Sequence, residues 1–442
     1  MRIGNAAGFW GDSVDAPAAL IRAERLDYLT LEYLAELTMS ILALQKAKDP
    51  SAGFASDFIS VLNQIAPDLE KQPQLKIVTN AGGMNPAACA AKARAMLGAK
   101  RKLAVVTGDD LLPKLDDLIK SGHPLINLDT KAPFSDIRSK VVSANAYLGA
   151  KPIADALVAG ADIVITGRVA DAALTLGPCV KEFGWKWEDW DRLCAGIVAG
   201  HLLECGAQAT GGLWINWQET DLANVGYPIA DMNADGSFTM TKPANTGGAV
   251  NIETVGEQLL YEVGDPARYL TPDVVADFTT LSLTQAGKDA VLLRNCKGKP
   301  ATDSYKVSIA YRDGFAVSGM LVIAGPGAAE KARNAGEMIL SRLERVGAKP
   351  QHSLIECLGA GDSLHGVLPK VDAPEVVLRV SARDPDKAKL DRFAKEFAPL
   401  VTSGPPGVTG YTTGRPQVRE VFAYWPTLLA KEAVTPEWKV LD

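Results

Sequence analysis

The strongest constraint on this chain is the alternation, through its N-terminal part, of short β-branched runs with longer amphipathic ones. Candidate strands are Met1–Gly8, Asp27–Glu32, Leu75–Asn80, Lys102–Thr107, Val141–Tyr147 and Asp162–Gly167. Helical patterns between and around them include Ala16–Arg25, Pro86–Leu97, Pro113–Lys120 and Pro152–Ala159. Unbroken apolar stretches such as Ile77-Val78 and Ile163-Val164-Ile165 imply burial on both sheet faces, as in a parallel sheet. Strand–helix–strand succession of this kind builds βαβ units and hence an α/β domain. At 442 residues the chain is long enough for two or three domains. A second, strand-rich block starts near Ala290, with alternating patterns in Tyr305–Tyr311 and Ala316–Val322. It continues through a helix pattern at Gly327–Val346, a strand at Glu375–Val380, a helix at Pro385–Phe397 and a last strand around Val418–Tyr424. The expected architecture is α/β. A mostly parallel sheet flanked by helices over residues 1–280 carries the ligand site, and a smaller C-terminal α+β domain covers 281–442.

Charge and cysteine use narrow the functional classes. Forty-six basic against 52 acidic residues leave a net charge of −6, which lacks the basic footprint of a nucleic-acid or anionic-membrane binder. The six cysteines are scattered and form no C-x-x-C pair, so they read as reduced thiols of a cytoplasmic protein. Only four histidines occur, and no metal site is expected. The N-terminus has no signal-peptide pattern, and no run of about 18 apolar residues would span a membrane.

In open α/β sheets ligands bind at the carboxyl ends of the strands, and here those ends are polar. Asp12 and Ser13 follow the first strand. Glu32, then Glu36, follow the second, and Asn80-Ala-Gly82-Gly83-Met-Asn85-Pro86 the third. Asp109 and Asp110 end the fourth, Asn145 and Tyr147 the fifth, and Thr166-Gly167-Arg168, with Asp171 just beyond, the sixth. Taken singly, each is also what a helix cap or turn requires. Arg168 offers a planar fork for a carboxylate or phosphate at an open helix start; alternatively it pairs with Asp171 and braces the turn. Gly82 and Gly83 let backbone approach a ligand, without a G-x-G-x-x-G dinucleotide fingerprint. Glu32 and the aspartates of the rim could act as a base or hold Mg²⁺ with substrate, or be solvated caps.

Two further motifs lie downstream. Lys242-Pro-Ala-Asn245-Thr246-Gly247-Gly248 precedes the helix pattern Ile252–Leu260 and has the composition of an anion cradle, or of a capped loop. His201, Glu204 and Cys205 share one helix face. They could be metal ligands, a histidine acid/base tuned by Glu204, or a histidine packed near a helix end.

Several motifs together resemble one family. They are Asn5-Ala-Ala-Gly-Phe-Trp-Gly-Asp-Ser13, Asn80-Ala-Gly-Gly-Met-Asn-Pro86, Asp162-Ile-Val-Ile-Thr-Gly-Arg-Val-Ala-Asp171, His201-Leu-Leu-Glu-Cys-Gly206, Lys242-Pro-Ala-Asn-Thr-Gly-Gly248, Leu259-Leu-Tyr-Glu-Val-Gly-Asp-Pro266 and Tyr424-Trp-Pro426. The set resembles the acyclic terpene utilisation protein A family over nearly the whole chain. The resemblance implies a role in degrading acyclic terpenes and related branched acids as coenzyme A thioesters. Many members continue into a small ferredoxin-like C-terminal domain. This chain ends at Asp442, which implies that such a domain is absent or supplied as a separate subunit.

The expectation is therefore an enzyme of acyl-CoA catabolism, a hydro-lyase or carbon–carbon lyase working by acid/base chemistry. Its proton-moving residues are His201, Glu32 and Asp171. Its substrate-binding residues are Asp12, Ser13, Asn80, Gly82, Gly83, Asn145, Thr166, Gly167, Arg168, Lys242, Asn245, Thr246, Gly247 and Gly248. Coenzyme A enters as part of the substrate, no other cofactor is expected, and the assembly is a homo- or hetero-oligomer. The alternative is a non-catalytic binding or scaffold subunit of a larger catabolic complex.

Overall fold

The structure is a computed structural model and describes residues 1–441. The chain divides into two compact units, Met1–Ala310 with Tyr424–Asp442, and Tyr311–Ala423. It is a mixed α/β protein with twelve α-helices among the described residues.

All six strands expected in the N-terminal part form: β1 (Arg2–Asn5), β2 (Tyr28–Leu31), β3 (Lys76–Thr79), β4 (Leu103–Thr107), β5 (Val141–Ala146) and β6 (Ile163–Thr166). Five of them make a parallel core in the order β1-β2-β3-β6-β4. The fifth departs from expectation. β5 leaves this sheet and pairs with the strand Ser304–Ala324. Ser143 and Asn145 interrupt the continuous apolar run that a strand covered on both faces requires.

The sheet is also parallel only in its centre. On the β1 side it gains antiparallel strands β7 (Ile229–Met232) and β8 (Phe238–Thr241), then Ala290–Arg294 and Ser282–Gly287. On the β4 side Glu437–Val440 adds another antiparallel strand. β7 buries Ile229, Ala230 and Met232.

The first unit's helices are α1 (Ala16–Ala23), α2 (Glu36–Lys48), α3 (Asp57–Lys71), α4 (Pro86–Leu97), α5 (Leu115–Lys120), α6 (Lys151–Val158), α7 (Ala173–Phe183), α8 (Trp190–Glu204) and α9 (Ile252–Leu260). α4 starts where its sequence says it should. Asn85 caps it by accepting from the Ala88 N–H at 3.3 Å, and Pro86 occupies the first turn, where a missing N–H costs nothing. Leu29, Leu31, Ile77, Ile163 and Ile165 of the strands pack with Leu20 and Ile21 of α1, Phe58 and Ile65 of α3, and Ala90 and Ala93 of α4. Each fully buried aliphatic side chain there contributes about 1.5–3 kcal/mol. α7 and α8 pack against the sheet as well, and the Tyr28 hydroxyl donates to Glu182 of α7 at 2.7 Å. With helices over the strands, polar groups at the carboxyl ends of β1 and β2 are shut between sheet and helix.

The second unit is an antiparallel layer of Phe315–Ala324, His352–Leu358, Glu375–Asp384 and Val408–Tyr411. Alternate residues Val376, Leu378, Val380 and Ala382 are buried with Ala332, Ile339 and Leu343 of the helix Ala328–Arg345. No helix among the described residues is long and apolar enough to cross a membrane.

Candidate active site

Glu32 follows directly on β2 and is only 4% exposed. Its Oε1 accepts from the Leu34 N–H at 2.8 Å and from the Asn80 amide. The Asn80 Oδ1 accepts in turn from the Tyr33 N–H at 2.8 Å, so two strand ends are locked together. The Glu32 Oε2 is buried without a hydrogen-bond partner. Burial pushes the Glu32 carboxyl well above its ordinary range, and the Asp171 charge pushes further; Arg168 and Asn80 oppose this only in part. Burial thus favours the protonated form of Glu32.

Arg168, 2% exposed, follows the tight turn after β6. Its Nη1 donates to the Leu34 carbonyl at 3.0 Å, and its Nη2 meets the Asp171 Oδ1 at 3.0 Å. The guanidinium lies 4.0 Å from the centroid of the Tyr147 ring. This is the internal Arg–Asp pairing of the two arrangements that the motif allows. Asp171 keeps 34% of its side chain open. Partial burial raises its carboxyl, with Glu204 and Glu36 adding to the rise and Arg168 opposing it, to about 7. Glu36 goes the other way. Burial disfavours its charge, but the Tyr147 hydroxyl donating at 2.6 Å, Arg168 and the Lys306 ammonium at 3.2 Å hold it down to about 2.

Asp109 supports the turn from behind. Its Oδ2 accepts from the Arg168 N–H at 2.9 Å and from Asn145 Nδ2 at 2.8 Å, and burial raises it to about 6. A Cβ on Gly167 would fall within contact distance of that carboxylate. The variant Gly167→Ala should lose about 1–3 kcal/mol of stability through overpacking. Urea denaturation checks this, and a midpoint equal to wild type would show that the turn has slack.

These residues stand around a narrow cleft at the carboxyl ends of β1 and β2, too tight in this structure to hold a water molecule. Its polar lining is Asn5, Thr30, Glu32, Asp171, Thr175 and Glu204, with Leu174 and Gly200 as apolar walls. His201 stands behind Glu204 on α8. It is 1% exposed, its Nδ1 lies 2.8 Å from Glu204 Oε1, and its ring packs on Tyr269 and Phe278 at 5.4 and 5.5 Å. Burial opposes its positive charge, yet Glu204 raises it above its ordinary value. Its Nε2 and the Glu204 Oε2 are buried without partners. Burial pushes the neighbouring Cys205 thiol up to about 12, so it is no thiolate near neutral pH. Among the described residues, no three His, Cys, Asp or Glu side chains converge as a metal-holding group.

Other expected site residues lie in their own local networks. Asp12 accepts from the Gly8 N–H at 2.8 Å, the Ser13 N–H at 2.7 Å and the Tyr227 hydroxyl at 2.7 Å, closing its turn. Gly82 packs against the Thr166 carbonyl, and Gly83 takes a positive φ of 49°. The Thr166 hydroxyl donates to the Gly167 carbonyl at 2.8 Å. The Lys242 ammonium donates to the Thr246 carbonyl at 2.9 Å and pairs with Asp289 at 3.3 Å. The Thr246 hydroxyl donates to the Pro243 carbonyl at 2.7 Å, and Asn245 has a left-handed φ of 62°. Gly247 and Gly248 lie against the carbonyls of Asp221 and Thr210. None of these partners lines the cleft. The structure therefore brings Glu32, Asn80, Asn145, Gly167, Arg168, Asp171 and His201 together and leaves the Lys242–Gly248 loop apart. Sequence reading did not select Asn5 or Lys306 for the site, and it offered Glu204 only as a partner of His201. Lys306 reaches Glu36 across 270 positions, and no local pattern marks it.

A family model described as acyclic terpene utilisation family protein AtuA matches residues 1–440. No curated protein and no solved structure matches the chain.

Proposed function

The chain belongs to the acyclic terpene utilisation family, and from its cleft we propose an acid/base enzyme acting on the coenzyme A thioester of a branched terpenoid acid. One observation carries this reading: two carboxyls with raised pKa values, Glu32 and Asp171, line one small cleft. Neighbouring titratable groups pushed to different values divide the work of acid and base. Asp171, poised at about 7, is the base; Glu32, which burial pushes toward its protonated form, is the acid. In a dehydration, Asp171 takes the proton from the carbon next to the thioester carbonyl. The hydroxyl on the following carbon leaves with the Glu32 proton as water, and a double bond remains. Hydration is the reverse. The same pair serves carbon–carbon cleavage, with Asp171 taking the hydroxyl proton and Glu32 protonating the departing carbanion. Arg168 touches Asp171, Leu34 and Tyr147, so its role is to position the base.

Purified full-length protein incubated with branched hydroxyacyl- and enoyl-CoA thioesters should turn over at least one. Neither binding nor turnover across such a panel would remove the enzyme reading and leave a scaffold subunit. The pH profile is a second check. The base works ionised, so kcat/KM should fall as pH drops below about 7. The acid works protonated, so activity should decline again at higher pH as Glu32 loses its proton. The two limbs belong to the coupled pair rather than to either residue alone. A rate independent of pH between 5 and 9, roughly two units either side of the poised value, would contradict the assignment.

A further inference from the structure

We infer that the open edge of the second unit's sheet, Ser353–Ile355, pairs with the same edge of a second copy of this chain, antiparallel and with Leu354 on the two-fold axis. This interface is independent of the acid/base reading.

The strand His352–Leu358 ends its sheet and has a neighbour on one side only, Glu375–Asp384. In an antiparallel pair alternate residues bond across, and the others turn their backbone groups away. Glu375–Asp384 spends its even-numbered residues on its other neighbour: in that register the Gly325 N–H donates to the Pro374 carbonyl at 2.8 Å. Its odd-numbered residues therefore bond His352, Leu354, Glu356 and Leu358, and Ser353, Ile355 and Cys357 face outward. Both ends of this outward row are closed. The Cys357 N–H donates to Asp362 at 2.8 Å, and its carbonyl accepts from the Ala360 N–H at 3.1 Å. The Gln351 N–H donates to Asp384 at 2.8 Å, where the chain bends into the strand. Between these ends the N–H and C=O groups of Ser353 and Ile355 have no partner among the described residues. The strand carries neither Lys nor Pro, the residues that commonly blunt a free edge.

Four free groups in this order are self-complementary. With Leu354 opposite Leu354 of the second copy, Ser353 exchanges two hydrogen bonds with Ile355 of that copy, and Ile355 does so with its Ser353. No other antiparallel register matches all four groups. The leucines between them form the closer kind of cross-strand pair, with Cα atoms about 4.5 Å apart, and Leu354 is 55% exposed. Three residues of strand are too small an interface for a stable dimer; the loop that follows enlarges it. Leu364, Val367, Leu368 and Val371 are exposed there. Their backbone is fixed, since the Leu364 carbonyl accepts from the Val367 and Leu368 N–H groups at 3.0 and 3.2 Å. Apolar side chains held out on an ordered loop mark an interaction surface. The two-fold axis carries this loop alongside the second copy's approach to its own edge strand, where Val346 is exposed as well. Both copies offer the same patch, so the assembly closes at two.

Sedimentation of the full chain over a dilution series should show a dimer. Ser353→Pro removes one outward N–H and leaves the ladder to Glu375–Asp384 whole. Leu354→Lys sets like charges opposite each other. Each should weaken self-association on the order of tenfold or more, with the far-ultraviolet circular dichroism of wild type. A wild type that keeps the mass of one chain throughout overturns the inference. Retention of wild-type association by either variant, with its fold intact, also overturns it. If a variant does not fold, Leu354→Cys decides. Across the axis its thiols lie within disulfide reach, so mild oxidation should give a reducible dimer, whereas Ser353→Cys, off the axis and on the other face, should not. No cross-link at Leu354→Cys, or an equal one at Ser353→Cys, overturns the pairing.

Discussion

Asp171→Asn should lower kcat/KM by about 10²–10⁴-fold, the usual worth of a positioned general base, with little change in the thermal midpoint. The substitution is nearly isosteric and keeps an oxygen that can accept from the Arg168 Nη2, now 3.0 Å away. What it removes is the titration near 7 that lets this side chain take a proton and give it back. The low-pH limb of the rate profile should vanish with it. Turnover assays and a melting curve on the same preparation read both quantities. An unchanged rate would move the base elsewhere in the cleft, to Glu204 first. A collapsed midpoint would instead make Asp171 a structural brace.

Arg168→Met should cost on the order of 3–5 kcal/mol of stability, the range for removing one partner of a buried ion pair. The guanidinium is 2% exposed and stands among Asp171, Glu32, Glu36 and Tyr147. Without it Glu36 loses one of the charges that hold it ionised, and the Leu34 carbonyl loses its donor. Arg168→Lys should recover only part of the loss, because a point charge can neither bridge Leu34 and Asp171 nor stack flat on Tyr147. Chemical denaturation of the two variants beside wild type measures this. If Arg168→Met stays within about 1 kcal/mol of wild type, the brace is dispensable.

The same two residues show what could be read ahead of the fold. Polar strand ends in an α/β sheet pointed to Glu32, Asn80, Arg168 and Asp171 because topology places such ends on one rim, and these four do meet. The Arg168 motif left two arrangements open, and packing chose between them: Leu34 and Tyr147 come from other elements and occupy the faces a ligand would have used. Lys242 illustrates the converse. A lysine before small polar residues and glycines suggests an anion cradle, but Asp289, distant in sequence, neutralises the lysine within the loop's own network. β5 carries a strand pattern, yet its polar residues make it a poor central strand, and its partner lies far along the chain in Ser304–Ala324.

By itself the sequence determined local elements: six N-terminal strands, four of the helices between them and the family to which the chain belongs. Those properties depend on backbone sterics, apolar periodicity and side-chain caps within a few residues of one another. Only the tertiary structure decided which strand left the sheet, which cations remained available and which carboxyls are pushed toward their protonated form. Pairing and protonation depend on desolvation and on charges brought within a few ångströms by distant segments. No window of sequence contains both Glu32 and the Asp171 whose charge adds to the rise that burial imposes on it.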